Sequence, residues 1–69
     1  MYKMVINIGG EPHIFLFRGN RCRRRMLEWY DDYLDKAAEN EGITRIRVWG
    51  TVANKTDMVL EWKRGPDAG

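Results

Sequence analysis

The feature of this chain that most constrains its fold is one amphipathic segment placed between two pairs of strand-like runs. Within residues 20–42 the apolar side chains recur at helical spacing. The stripe that they form comprises Cys22, Met26, Leu27, Tyr30, Tyr33, Leu34 and Ala37. We expect Asn20 to cap the N-terminus of this helix and Gly42 to follow its C-terminus. Such a stripe is wide enough to pack on a sheet.

The residues before the helix predict a β-hairpin. The runs 4–8 and 13–17 are rich in β-branched and aromatic residues, and the sequence GGEP between them is typical of a turn. We expect Ile8 to pair with His13. Both faces of this hairpin are apolar, which suggests that at least one of its strands is covered on both sides.

A second hairpin is predicted after the helix. The runs 43–52 and 56–64 flank the turn sequence ANK, and we expect Val48 to face Trp62 across them. Together the elements predict an α+β domain of order ββαββ. In this domain one helix packs on a four-stranded, mostly antiparallel sheet.

The length of the chain limits it to one small domain. At 69 residues it lies near the lower limit for a fold held by a hydrophobic core alone. We expect residues 1–64 to form the domain and residues 65–69 to be a flexible C-terminal tail. No apolar run is long enough to cross a membrane, and a single cysteine, Cys22, fits a reducing compartment. The sequence therefore predicts a cytoplasmic protein with no membrane partner.

One face of the predicted sheet has no helix to cover it. On the expected registers it carries an apolar patch with a basic rim. The patch comprises Val5, Ile14, Leu16, Trp49 and Val59, and the rim comprises Lys3, Arg18, Arg45, Arg47 and Lys63. A patch of this kind usually marks an interface. We expect a homodimer, either through this sheet face or through an edge strand, because dimerisation would also compensate for the small hydrophobic core.

Charge of both signs is concentrated on the helix. Residues 18–25 contain five arginines and no acidic residue, whereas residues 28–41 contain six carboxylates and one lysine. Both clusters oppose the helix dipole, which favours acidic residues at the N-terminus and basic residues at the C-terminus. Local pairs such as Arg24 with Glu28 neutralise only part of this charge. Helix stability alone does not explain the pattern.

The charged face of the helix is the candidate protein-binding site. It comprises Arg21, Arg24, Arg25, Glu28, Trp29, Asp31, Asp32 and Asp35. The arginines would meet an acidic patch and the aspartates a basic one, with Trp29 as an apolar anchor near the centre. The alternative is that both clusters are ordinary solvated surface, which is the usual meaning of a charge run.

Nucleic-acid binding is the alternative function. Its candidate residues combine the arginine cluster with an aromatic and basic sheet face, and they are Arg18, Arg23, Arg45, Arg47, Trp49 and Lys63. One aromatic residue per strand is also ordinary for a half-buried sheet. A net charge of +2 is low for a protein that binds nucleic acid along a basic face.

No set of residues predicts catalysis, a metal site or a cofactor. The chain has one cysteine, one histidine and no serine, so neither a zinc site nor a nucleophilic triad can be assembled. Arginine neighbours favour a reactive thiolate at Cys22, but its place on the apolar stripe favours a small buried hydrophobe.

We therefore expect a non-enzymatic binding module, acting as an adaptor or a stoichiometric inhibitor. Its partner would be another protein, either a host protein or a subunit of a complex. Size and surface suggest an analogy with the small antagonists that phages and mobile elements direct against host nucleic-acid machinery.

Overall fold

The order of the elements in the computed structural model is the predicted one. The model describes residues 1–39 and 41–65. The elements are β1 (Tyr2–Ile8), β2 (Glu11–Phe17), α1 (Cys22–Ala38), β3 (Ile43–Val52) and β4 (Lys55–Lys63). The strands lie in the order β2-β1-β3-β4, and all neighbouring pairs are antiparallel. The predicted α+β fold, with one helix on a four-stranded antiparallel sheet, is confirmed.

Both hairpins turn over two residues, and this shortness shifts the expected registers, by two positions in the first hairpin and by three beside the second turn. The turn residues Gly9–Gly10 have φ of +59° and +85°, and Ala53–Asn54 have φ of +51° and +66°. Positive φ at both central residues is the type I′ geometry, which matches the twist of the flanking strands. Ile8 therefore pairs with Glu11 and not with His13.

The core lies between α1 and the sheet face that it covers. Its buried residues come from α1 and from every strand except β4, and they are Met4, Ile6, Phe17, Met26, Ala37, Ile43, Ile46 and Val48. Strand β4 contributes only Leu60 and Trp62, which remain partly exposed. The two central strands, β1 and β3, therefore hold most of the sheet's share of the core.

The other side of the sheet is turned away from α1, and we call it the open face. Cross-strand pairing and alternation along the strands define its residues, which are Lys3, Val5, Asn7, Pro12, Ile14, Leu16, Arg45, Arg47, Trp49, Thr51, Thr56, Met58, Glu61 and Lys63. Within the described ranges no helix lies over this side. The expected uncovered face therefore exists, but Val59 and Arg18 do not lie on it, and Val5 is buried to 6% exposure by its neighbours.

The change at Val59 arises from a bulge in β4. Val48 faces Leu60 instead of the expected Trp62, and the register then slips by one residue. The extra residue is Val59, whose side chain lies on the helix side of the sheet. The prediction that Val59 lies on the open face was wrong, because alternation fails at a bulge. Met58 takes its place there.

The helix begins without the predicted cap. Arg21, and not Asn20, is the N-cap residue, and no side chain bonds to the amides of the first turn. Arg21 has φ of +65°, next to Gly19 with φ of +86°. A capping side chain normally requires an extended backbone at the N-cap position, which this left-handed entry does not provide. The prediction of Asn20 as cap was therefore wrong.

The helix also ends earlier than expected. Its last helical residue is Ala38, with Glu39 as C-cap. Gly42 has φ of +82°, but it lies just before β3, and its carbonyl accepts a hydrogen bond from the amide of Gly9 at 2.9 Å. It therefore links the start of β3 to the first hairpin. α1 is the one helix in the described ranges, and it is neither long nor apolar enough to cross a membrane.

An arginine from the end of the sheet holds the C-terminus of the helix. Arg64 donates from Nη2 to the carbonyls of Ala37 at 2.9 Å and Ile43 at 2.8 Å, and from Nε to Ile43 at 3.1 Å. Its positive charge offsets the partial negative charge at this end of α1. The predicted tail, residues 65–69, begins after Arg64, and its last four residues, 66–69, lie outside the described ranges.

We expect Arg64→Ala to lower the free energy of unfolding by about 1–3 kcal/mol, because it removes hydrogen bonds from a charged donor. Urea denaturation followed by circular dichroism measures the change. Lys63→Ala is the matched control, since Lys63 is exposed and lies on the open face. Equal losses in the two variants would contradict the role of Arg64.

Candidate functional site

The outer face of α1 carries the eight residues predicted to bind a protein partner. All eight are exposed, and they are Arg21, Arg24, Arg25, Glu28, Trp29, Asp31, Asp32 and Asp35. Arg21 is the N-cap residue, and the other seven lie within α1. The fold therefore brings the whole set together on one rigid element, with the arginines towards its N-terminus and the aspartates towards its C-terminus.

An aromatic cluster fixes Trp29 at one border of this face. The centroid of its ring lies 5.1 Å from that of Phe15 and 5.4 Å from that of Phe17, both in edge-on geometry. Tyr33 in α1 lies 6.4 Å away. Edge-to-face aromatic pairs of this kind restrict the ring. Trp29 is nevertheless 42% exposed, so it offers a partner an apolar surface that is already ordered.

The opposite border of the outer face is also apolar, which the sequence did not reveal. Leu27 was expected in the packed stripe, but it is 38% exposed and borders a groove with Arg23, Tyr2 and Val59. The reason is that α1 packs mainly against β1, β2 and β3, and hardly touches β4. No local pattern in the sequence indicates where a helix crosses its sheet.

The arginines near the start of α1 have few partners. Arg25 donates from Nη2 to the carbonyl of Arg18 at 2.6 Å. The Nε of Arg24 lies 3.7 Å from the carboxylate of Glu28, and both side chains are exposed. An exposed pair at this spacing contributes about 0.3–0.5 kcal/mol at most. Most of the positive charge therefore remains uncompensated beside the positive end of the helix dipole.

The aspartates of the outer face form no ion pair with any described residue. Asp31, Asp32 and Asp35 all have exposed side chains on successive turns of α1. The nearest lysine in the helix, Lys36, directs its ammonium over the ring of Tyr33, 5.0 Å from the centroid. These carboxylates therefore stand in water without a neutralising neighbour in the described part of the chain.

The structure does not bring the residues of the nucleic-acid hypothesis together. Arg23 lies on the helix side of the sheet, and Arg18 lies beside the start of α1. The remaining four lie on the open face, and they are Arg45, Arg47, Trp49 and Lys63. A single nucleic-acid strand would have to pass around an edge of the sheet to contact both groups.

The Trp49 ring, expected to stack on bases, is already flanked by cations of its own chain. The Nζ of Lys3 lies 5.9 Å from the ring centroid, and the Cζ of Arg47 lies 5.3 Å from it. Contacts at these distances are cation–π interactions. A base could stack on this ring only after displacing one of the two side chains.

Arg45 on the open face is neutralised by Glu61. Its Nε and Nη2 donate to the same carboxylate oxygen, at 3.0 and 2.7 Å. This hydrogen bond lowers the pKa of Glu61, partial burial of the carboxylate opposes the shift, and the charge of Lys63 adds to it. Arg45 is therefore less available to an external anion than its position suggests.

Two reactive-looking side chains of α1 face the core. Cys22 is half-buried and packs against the buried cluster, as does Tyr30. Burial raises the pKa of the Tyr30 hydroxyl, and the charge of Asp31 adds to the shift. Among the described residues, no three His, Cys, Asp or Glu side chains are close enough together to hold a metal ion.

Comparison with known proteins adds no relative to this picture. The chain matches no protein-family model, and no curated protein or solved structure is similar to it. The function has to be argued from the surfaces themselves.

The pairing of Arg45 with Glu61 predicts that the stability of the fold depends on pH. We expect an NMR titration to give Glu61 a pKa below that of a glutamate in an unfolded peptide, and Arg45→Gln to remove the shift. Because the pKa is lowered in the folded state, the stabilisation is present above the unfolded pKa and is lost as the pH falls through the folded one. The stability difference between wild type and variant should therefore vanish on acidification. An unshifted pKa in the wild type would contradict the pairing.

Proposed function

We propose that this protein is a non-enzymatic binding module that docks on another protein through the outer face of α1. The observation that carries the proposal is the combination of an ordered but exposed Trp29 with charged side chains that have almost no partners in the described chain. An exposed aromatic anchor beside steering charges is typical of a protein interface.

The energetic cost of this charge pattern supports the proposal. Asp31 and Asp35, like Glu28 and Asp32, stand four residues apart on one helix, and each such pair destabilises it by about 0.2–0.5 kcal/mol. Neither end of α1 contains the charges that its dipole favours, apart from Lys36 in the last turn. A partner with the opposite charge pattern would convert both penalties into attraction.

The pattern also describes the surface of the partner. It would carry an acidic patch for Arg21, Arg24 and Arg25, and a basic patch for the aspartates, about two to three helical turns away. A basic patch of this kind is common on proteins that handle nucleic acid. We infer a stoichiometric inhibitor or adaptor that acts on such a protein in the cytoplasm, which is consistent with a single half-buried thiol.

Direct nucleic-acid binding is less well supported. Asp31, Asp32 and Asp35 lie on the same face as the arginines and would repel a phosphate backbone. The open-face candidates lie on the far side of the sheet. A nucleic-acid strand that contacts the candidates on both sides of the sheet would have to wrap around the domain.

Charge reversal on the helix provides the test. We expect Asp31→Lys with Asp35→Lys to reduce partner affinity by about 100-fold or more, since close interfacial charge pairs contribute several kcal/mol. Affinity capture from a nuclease-treated lysate of the organism that carries the gene supplies the partner, and titration calorimetry measures its affinity. The double variant should unfold at the same temperature as the wild type or higher.

The matched control is Glu11→Lys with Asp57→Lys, which makes the same charge change at exposed positions on β2 and β4. We expect it to leave binding intact. Equal weakening by both variants, or lost folding in the helix variant, would refute the docking face. A captured protein that disappears on nuclease treatment would instead favour nucleic acid as the ligand.

A further inference from the structure

We propose that the open face packs against the open face of a second copy of this chain, forming a two-fold symmetric dimer. In a single copy, Ile14 is 57%, Leu16 is 52% and Met58 is 48% exposed. These aliphatic side chains and Trp49 form two apolar groups, at the β2 edge and at the β4 edge, with Lys3 and Arg47 between them, and exposed apolar groups with a polar rim are typical of interfaces. The proposal is independent of the docking of α1, which uses the opposite side of the molecule.

The strand register decides which arrangement of two copies is self-complementary. The cross-strand pairs place the open-face residues, apart from Thr51 and Thr56, in three rows, each running across β2, β1, β3 and β4. Consider a two-fold axis that lies in the interface, parallel to the strands and midway between β1 and β3. It places each row of one copy over the same row of the other copy, in reverse order. In this arrangement β2 covers β4 of the second copy, and β1 covers β3. Packed sheets of this type lie about 10 Å apart.

The first row pairs apolar with apolar and cation with aromatic. It contains Leu16, Lys3, Trp49 and Met58. On reversal, Leu16 meets Met58 of the second copy, which buries two side chains that are half exposed in the single copy. Lys3 meets Trp49 of the second copy. Its ammonium already lies 5.9 Å from its own Trp49 ring, so both rings and both lysines can share the contact.

The middle row brings aliphatic surface over two charged side chains, of which Glu61 is paired within its own chain. It contains Ile14, Val5, Arg47 and Glu61. Val5 is only 6% exposed in the single copy and adds little area, so the apolar surface of this row comes from Ile14. Ile14 covers Glu61, whose carboxylate already accepts both hydrogen bonds from Arg45 of its own chain. Arg47 keeps its own contact with the Trp49 ring, but its buried Nε has no hydrogen-bond partner among the described residues and gains none in this row.

The third row contains a buried polar atom that has no hydrogen-bond partner among the described residues. It contains Pro12, Asn7, Arg45 and Lys63. The Oδ1 of Asn7 is buried and accepts no hydrogen bond from any described residue. Buried polar atoms are normally paired, so this acceptor indicates a missing donor. Reversal of the row brings Asn7 opposite Arg45 of the second copy, whose guanidinium can donate to this oxygen once the Asn7 side chain turns outward.

The distribution of charged side chains on the open face favours the same two-fold axis. The open face carries four cations and one carboxylate, and in the proposed dimer none of the cations lies opposite another. A two-fold axis perpendicular to the strands would instead lay β3 on β3, so that Arg47 would face Arg47. Like charges in direct opposition are unfavourable. An anionic polymer would satisfy the cations but would leave the aliphatic side chains of β2 without a role.

Sedimentation velocity over a concentration series tests the dimer. We expect a monomer–dimer equilibrium for the wild type, and at least a ten-fold higher dissociation constant for Leu16→Lys and for Met58→Lys. The two substitutions lie on opposite edges of the sheet, so a folding defect in one leaves the other informative. Val52→Lys is the matched control and should leave the equilibrium unchanged, because Val52 is 75% exposed at the projecting end of β3.

Three results would overturn the proposal. The first is a wild-type chain that stays monomeric up to its solubility limit. The second is a dimer that Leu16→Lys and Met58→Lys leave intact, which would indicate an edge strand or another surface. The third is binding of an anionic polymer that these added lysines strengthen without any dimer being present, which would assign the face to nucleic acid.

Cross-linking tests the axis separately. A Leu16→Cys copy mixed with a Met58→Cys copy, both carrying Cys22→Ala, should be joined by a short bismaleimide, because sheets about 10 Å apart hold facing cysteines too far apart for a direct disulfide. Preferential cross-linking of the Leu16→Cys copy to itself would contradict the axis parallel to the strands.

Discussion

A single helix can cover only one side of a four-stranded sheet, and the surfaces of this protein follow from that constraint. α1 packs over β1, β2 and β3, and the core forms beneath it. Strand β4 stays at the margin, so Leu27 and Val59 remain partly in water. The far side of the sheet keeps its own apolar side chains. The two remaining surfaces, the outer face of α1 and the open face, are therefore on opposite sides of the molecule.

This geometry relates the two proposed activities. A dimer that buries the open faces would point the two outer faces of α1 away from each other, and each could engage a partner. Two linked binding sites raise the overall affinity when both can be occupied together.

The fold offsets the dipole charge at one end of α1 and not at the other. Arg64 from the end of β4 offsets the C-terminal end, whereas the arginines at the N-terminal end have no such neighbour.

The sequence predicted the elements, their order and the two surfaces, because helical and strand periodicities are local properties of a chain. It failed where local pattern does not determine geometry. Turn length, not alternation, set the register that placed Glu11 opposite Ile8. A bulge moved Val59 to the other side of the sheet, and a left-handed entry displaced Asn20 as the cap. The long-range hydrogen bonds of Arg64 have no local sequence pattern from which they could be predicted.

The central claim is that the charges on the outer face of α1 serve a partner and not the fold. The most direct measurement is the free energy of unfolding of Arg21→Glu with Asp35→Lys, which keeps the net charge while giving each half of the helix the sign that its dipole favours. Urea denaturation should show a gain of up to about 1 kcal/mol over the wild type. A loss of stability would mean that the native charge pattern holds the fold together, and the claim would be wrong.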